Sequence, residues 1–291
     1  MTGTLTAAAP SHTADTSRHH QPGVGAVLGV ELRKLAAQAR GRYSILGCIV
    51  APPLLVLAVK AQSSPPTDTL YGRHIHVSGY ATPLLLLTFA HQWLFPVLTA
   101  VVAGDIFASE DHHGTWKTVL TRSVGRTRLF AAKTIAAVVF SITTLVLLAT
   151  STIISSILLI GSKPLPGLSG QTIGSSTARR LVALSWLSVI PPIIGFTALG
   201  VLVSIWTRSP SAGIVVPLVL GLVMGFASAL TNIDPLRHVL LTTPFEAWHN
   251  LLITNRSYDL IIHGAIVCAA WTAIALTAAF TVFRRRNITG G

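Results

Sequence analysis

The sequence has few charged residues. They make up 10% of its 291 residues, whereas soluble domains carry about 25%. This number of charged residues is too small to cover a water-facing surface. Most of the surface must therefore face lipid or other helices. Apolar residues make up 51% of the chain and occur in long runs without period-two alternation. This pattern predicts membrane-spanning helices and argues against an outer-membrane barrel.

Cysteines and acidic residues are also scarce. Cys48 and Cys268 are the only cysteines and both lie in apolar runs, which excludes a disulfide framework. The 9 acids face 21 lysines and arginines, giving a net charge of +12. In a soluble protein this balance would suggest nucleic acid as a partner. Here the basic residues flank apolar runs, as on the cytoplasmic side of membrane proteins, so we predict no nucleic-acid partner.

The N-terminal part of the chain divides into two segments. Residues 1–23 are polar, lack the apolar core of a signal peptide, and are predicted to form a disordered cytoplasmic tail. Residues 24–291 then form one transmembrane domain. This domain opens with Leu28, Leu32 and Leu35 at four- and three-residue spacing among basic residues, which predicts an amphipathic interfacial helix. The alternative is a plain extension of the first span.

The fold class is therefore an all-α integral membrane protein with six transmembrane helices. Pro52 and Pro53 within the first apolar run predict a kink, the fourth run has Pro191 and Pro192 in its middle, and the stretch 244–252 predicts a short interfacial helix. The predicted spans cover about residues 43–59, 81–107, 129–160, 178–206, 212–230 and 260–283.

The segment between spans two and three has the most specific pattern. Gly114 allows a bend as the chain leaves the membrane, and Thr115 is suited to cap a new helix. Trp116, Val119 and Leu120 then share one apolar face. The pattern predicts a short amphipathic helix that projects into the cytoplasm.

This segment resembles the coupling helix of ABC transporter permeases of the type-2 export class. A proline that often follows the helix in that family is replaced here by Ser123-Val124. The six spans and the N-terminal helix with its Glu31-Leu-Arg-Lys34 run also fit the family. The residues that match its coupling segment are Glu110, Gly114, Thr115, Lys117, Leu120, Thr121, Arg126 and Lys133.

The resemblance implies a permease subunit in a bacterial cytoplasmic membrane. Its expected partners are two ABC ATPase subunits, a second copy of the chain or a related permease, and membrane lipids. The chain has no phosphate-binding Gly-x-x-x-x-Gly-Lys-Ser/Thr motif, so ATP and Mg²⁺ are expected on the ATPase, and the permease itself is expected to be non-catalytic and free of cofactors. The expected ATPase-coupling residues are Glu110, Gly114, Thr115, Trp116, Lys117, Val119 and Leu120.

Three further features are candidates for function. His91, Gln92 and Trp93 lie at mid-depth in span two and are predicted to face the substrate conduit. Asp105, at the end of the same span, is suited to cap a helix, to pair with an arginine or to lie at the conduit mouth. The pair Gly221 and Gly225 allows close helix packing, within the chain or across a dimer.

Two other classes of function compete with a permease. A stand-alone secondary transporter needs an ion-coupling charge at mid-membrane. None of the acids lies at that depth in the predicted spans, and His91 is the one candidate proton carrier there. A membrane-embedded enzyme is disfavoured because the sequence shows no paired carboxylates, metal cluster or Ser-His arrangement.

The distribution of basic residues predicts the topology. With the N-terminus inside, cytoplasmic segments hold about twice as many lysines and arginines as the other side. Both termini are therefore expected in the cytoplasm and residues 163–176 outside. In a background without Cys48 and Cys268, Ser169→Cys should react with an impermeant thiol reagent added outside intact cells. Labelling only from the cytoplasm would reverse this topology.

Overall fold

The structure is a computed structural model that describes residues 23–63, 69–112, 125–230 and 234–285. Most of these residues are helical. Five helices are long and apolar enough to cross a membrane, and a sixth span results if one bent helix pair is counted as a unit. The all-α membrane fold expected from the sequence is therefore confirmed, with five or six candidate spans.

The first two helices are separated by a single residue. Helix α1 covers Val24–Ala37 and α2 covers Ala39–Ala61, and Gln38 between them has an extended backbone. Helix α1 buries Glu31 and Leu35, four residues apart and therefore on one face. Helix α2 is the first span and continues through both of its prolines, with most of its surface exposed.

The second span is broken, whereas the sequence predicted one continuous span. Helix α3 covers Ala81–Ala90, α4 covers Leu94–Ala103, and their axes differ by 61°. Trp93 between them has a non-helical backbone with φ −125° and ψ −51°. Pro96 contributes to the break because it has no N–H to donate to the carbonyl of Gln92. Helix α5, Ala108–His112, follows after a short turn.

The third span, α6, is the longest helix and covers Arg126–Ile160. Its 35 residues extend about 50 Å, against about 30 Å of hydrocarbon in a bilayer, so α6 projects beyond the membrane. A two-stranded antiparallel hairpin follows, in which β1, Leu165–Pro166, pairs with β2, Thr172–Ile173. The hairpin lies within residues 163–176, the segment predicted to be outside.

The fourth span consists of two helices and lies at the centre of the bundle. Helix α7 covers Ser175–Ser188 and α8 covers Ile190–Thr207, with Pro191 and Pro192 in the first turn of α8. Proline is tolerated there because the first N–H groups of a helix have no intrahelical partner. The fifth and sixth spans are α9, Pro210–Ala229, and α11, Asp259–Arg285.

The segment before α11 enters the core. Helix α10, Asp234–Arg237, is followed by a 3₁₀ helix at Thr243–Leu251. Phe245 and Trp248 of this 3₁₀ helix are fully buried. The Phe245 ring stacks on Phe95 and Phe196, at centroid distances of 5.5 and 5.8 Å. The short helix expected at the membrane surface is thus part of the protein core.

Two glycines allow α9 to touch the end of the second span. A Cβ atom added to Gly213 would lie 1.9 Å from the carbonyl oxygen of Gly104, and one added to Gly104 would lie 2.2 Å from the oxygen of Gly213. The two backbones are therefore in direct contact, the arrangement that small residues permit between membrane helices. No motif in the sequence pairs these two positions.

We predict that Gly213→Ala destabilises the protein by about 1–3 kcal/mol, because the added methyl group overlaps the Gly104 backbone. Gly225→Ala is the matched control on the same helix, since no described atom lies within 4 Å of a Cβ at that position. Thermal unfolding of the detergent-solubilised protein measures both. Equal melting temperatures for the two variants would contradict the close contact.

Candidate functional site

A buried lysine links three segments at one end of the bundle. Lys133, two turns into α6, is 1% exposed. Its Nζ donates to Glu31 Oε2 of α1 at 2.9 Å and to Glu110 Oε1 of α5 at 3.1 Å. The carbonyl of Ile106 accepts a third hydrogen bond at 3.2 Å. All three donor positions of the ammonium group are thereby used.

Glu110 is shared between two lysines. Its side chain is 3% exposed and pairs with Lys34 of α1 as well as with Lys133. Lys34 and Glu31 are three residues apart on α1, so one helix presents both an acid and a base to the site. The four side chains carry two positive and two negative formal charges. This balance matters because breaking a buried ion pair leaves an uncompensated charge.

A second ion pair lies beside this cluster. Asp105, which follows Gly104, is 4% exposed and pairs with Arg40 in the first turn of α2. Of the three roles considered for Asp105 from the sequence, the structure shows pairing with an arginine. We refer to Glu31, Lys34, Glu110, Lys133 and the Arg40–Asp105 pair as the ion-pair network.

Aromatic rings cover the Lys133 side of the network, whereas the side chains of Lys34 and Arg40 are 43% and 35% exposed. The Lys133 ammonium lies 5.9 Å from the centroid of the Phe107 ring, within the range of a cation–π interaction. Phe107 in turn packs against Phe130 and Phe283, with ring centroids 5.8 and 5.5 Å away. This cover keeps the dielectric low around Lys133, which strengthens its ion pairs with Glu31 and Glu110.

Ser204 fixes the start of α5. Its hydroxyl oxygen, fully buried in α8, accepts hydrogen bonds from the backbone N–H groups of Phe107 and Ala108, at 3.3 and 3.0 Å. These N–H groups lie at the start of a helix and have no intrahelical acceptor. The central span thus holds α5, and with it Glu110, in position.

The ends of α6 and α11 meet at the same end of the bundle. Arg126, the first residue of α6, donates from Nη1 to the carbonyl oxygen of Arg284 at 3.0 Å. The last carbonyls of a helix are unsatisfied within it and attract cations. The network end therefore includes parts of α1, α2, α5, α6, α8 and α11.

The segment predicted to couple to an ATPase begins at Glu110. Glu110 is the one predicted coupling residue that the structure describes, and it is in the ion-pair network. The network lies at the base of the segment, because α5 precedes it and α6 follows it. The other predicted coupling residues lie outside the described residues: Gly114, Thr115, Trp116, Lys117, Val119 and Leu120.

Comparison with known families agrees with a bundle of membrane-spanning helices. Residues 27–228 match the family model of the ABC-2 family transporter proteins. The chain belongs to this family. No curated protein matches the sequence. The matched part of this ABC-2 transporter chain runs from α1 to the fifth span and contains every residue of the ion-pair network.

The predicted conduit residues of this ABC-2 chain lie at the break in the second span. His91 follows α3 directly, and its Nε2 lies 3.5 Å from Glu246 Oε1 of the 3₁₀ helix. Trp93 is 53% exposed. Close to this pair, burial lowers the pKa of His249 below its usual value, with Glu246 opposing the shift. Burial therefore favours the neutral form of the His249 side chain.

The two glycines of the predicted packing motif have different surroundings. A Cβ on Gly221 would lie 3.1 Å from Pro96 and 3.2 Å from Phe196, both in this chain. Gly225, one turn later, has no described atom within 4 Å of its Cβ position. Gly221 thus packs within the ABC-2 chain, while Gly225 lies on an open face of α9.

We predict that Lys133→Met destabilises the protein by about 3–5 kcal/mol, because it leaves Glu31 and Glu110 buried with one partner fewer. Lys60→Met is the control, since Lys60 is exposed at the end of α2. Thermal unfolding in detergent should show a large fall in melting temperature for Lys133→Met alone. Adding Glu31→Gln to Lys133→Met should recover part of the loss. Unchanged stability of Lys133→Met would show that the network is not structurally important.

Proposed function

We propose that this ABC-2 family chain is the membrane-spanning permease subunit of an ATP-binding-cassette exporter. Two ATPase subunits bind the segment between α5 and α6, and a second permease, a copy of this chain or a related one, completes the conduit. ATP hydrolysis, with Mg²⁺ on the ATPase, drives outward transport of a drug, peptide antibiotic, lipid or similar substrate. The permease itself is non-catalytic.

The observation that carries this proposal is the ion-pair network at the base of the coupling segment. In sequence the segment lies between α5, which carries Glu110, and α6, where Lys133 binds the same Glu110. Both ends of the segment are therefore held by one ion pair. Force applied to the segment by a partner acts on α5 and α6 together, rather than on a loose loop.

The network also extends this connection to the N-terminal helix. Glu31 and Lys34 bind Lys133 and Glu110 respectively, so α1 moves with the base of the segment. The Arg40–Asp105 pair joins the first and second spans next to it. Lys133 and the three acids, Glu31, Asp105 and Glu110, are buried, so separating these pairs would leave their charges without a partner in a low dielectric. When the segment moves, the spans that the network connects therefore move together.

The topology follows from the same assignment. An ATPase that uses cellular ATP binds on the cytoplasmic side, which places the network end and both chain termini in the cytoplasm of a bacterial cell. The basic residues predicted to be inside favour the same orientation.

A stand-alone secondary transporter is the second candidate function. Its coupling site needs an ionisable group within the membrane, and the His91–Glu246 pair at the break in span two is the described pair that offers one. The two functions differ in their energy source. Export that stops when the partner ATPase is inactivated, and continues when the proton gradient is collapsed, supports the permease.

We predict that Trp116→Ala reduces ATPase binding and ATP-dependent export about tenfold or more while leaving the protein folded. A buried apolar side chain contributes about 1.5–3 kcal/mol, and aromatic anchors often dominate an interface. Glu110→Gln should lower export more than it lowers ATPase binding, because it weakens the network behind the interface. Pull-down of the ATPase and export from vesicles, at matched membrane abundance, measure both effects.

Trp206→Ala provides the control for the tryptophan substitution. Trp206 is 71% exposed near the end of α8, so its loss removes an aromatic side chain without touching the coupling segment. It should retain both ATPase binding and export. Wild-type binding and export by Trp116→Ala, or equal losses in the two tryptophan variants, would refute the assignment of the coupling segment.

A further inference from the structure

A second polar site lies at the end of the bundle opposite the ion-pair network. It is a cavity of about 390 Å³ between the start of α7 and the chain that leads into α11. The ligand chemistry of this cavity follows from its own side chains and is independent of the permease assignment. The cavity is lined by Ser176, Thr177, Arg180, Leu181, Leu184, Arg256 and Tyr258.

Two arginines from different elements share this cavity. Arg180 belongs to the second turn of α7, and Arg256 precedes α11. Neither guanidinium group has a hydrogen-bond or ion-pair partner among the residues that the structure describes, and no acidic residue lines the cavity. Two like charges in one cavity repel each other unless an anion lies between them. The charge of the cavity therefore favours an anionic ligand.

The other lining residues narrow the chemistry of that anion. Ser176, Thr177 and Tyr258 add three hydroxyl groups, and Leu181 and Leu184 add an apolar wall. Guanidinium groups bind phosphate oxygens in pairs, with geometric specificity, and hydroxyl groups donate to the remaining oxygens. We propose that this cavity binds a phosphate group, as a phosphate ester whose apolar part lies against the two leucines or as free phosphate.

The alternative is that these arginines only mark the membrane surface, where basic residues are common. The chain offers an internal comparison, because Arg179 is adjacent to Arg180 in sequence and also exposed, but does not line the cavity. If nonspecific attraction to anionic surfaces were the whole effect, Arg179 and Arg180 would contribute equally. A built site requires Arg180 and Arg256 and does not require Arg179.

The experiment measures binding to the full-length protein in an uncharged detergent by isothermal titration calorimetry. The probes are dihexanoyl phosphatidic acid, inorganic phosphate and dihexanoylglycerol, the last of which lacks the phosphate. The variants are Arg180→Gln, Arg256→Gln and the control Arg179→Gln. We expect phosphatidic acid to bind, dihexanoylglycerol not to bind, and each cavity variant to lose about tenfold or more in affinity. Arg179→Gln should stay within about twofold of the wild type.

The two phosphate probes distinguish the source of the ligand. Binding of phosphatidic acid alone identifies a lipid head group, and equal binding of inorganic phosphate identifies free phosphate; both outcomes support a phosphate site. Arg180→Lys keeps the charge but loses the paired donors, so it should restore only part of the affinity. Lack of binding by both phosphate probes, equal binding of dihexanoylglycerol, or equal losses in Arg179→Gln and Arg180→Gln would overturn the proposal. Elution of each variant as a single species verifies its folding.

Discussion

The buried ammonium group of Lys133 constrains the end of the bundle around it. An unpaired charge at this depth would cost several kcal/mol, so the chain must bring acids to it. Glu31 arrives from a helix 102 residues earlier in the sequence and Glu110 from one 23 residues earlier. The positions of α1 and α5 therefore follow from electrostatics as well as from their apolar faces. An N-terminal helix that lay only in the membrane surface would leave Lys133 without one of its acids.

Close packing of backbones makes this arrangement possible. Gly104 and Gly213 bring α9 against the end of the second span, and the next residue, Asp105, then pairs with Arg40 of the first span. A larger residue at either glycine would push the helices apart close to this ion pair. The small residues and the charged pair thus act together. The glycines set the distance between the spans, and the ion pair sets the position of one span along the other.

Long apolar runs were enough to predict the spans, because the bilayer imposes both their length and their helical form. The break at His91 and the buried 3₁₀ helix could not be predicted in this way. The segment with Phe245 and Trp248 has the same amphipathic pattern whether its apolar face meets lipid or protein. Its contacts with Phe95 and Phe196 come from spans far away in the sequence, and local periodicity carries no information about them.

The same limit applied to the candidate site. The sequence marks Glu110 as a residue of the coupling segment, yet it offers several lysines and arginines as its possible partners. The choice of Lys34 and Lys133 depends on which side chains become buried together, and burial is a property of the assembled bundle. Nothing in the sequence indicates the role of Ser204, because a serine within an apolar span usually hydrogen-bonds to its own helix. Its hydrogen bonds to the start of α5 arise only because α5 packs against α8.

The two ends of the bundle use basic residues in different ways. At the network end, Lys133 and Glu110 are almost completely buried and paired within the chain, so their interaction stabilises the packing of the helices. At the opposite end, Arg180 and Arg256 line a cavity without an acidic partner among the described residues. A cation already paired inside the protein has little capacity left for a ligand, whereas an unpaired one retains it. This difference in pairing, rather than the count of basic residues, separates the positions that hold the fold from those that are available to bind another molecule.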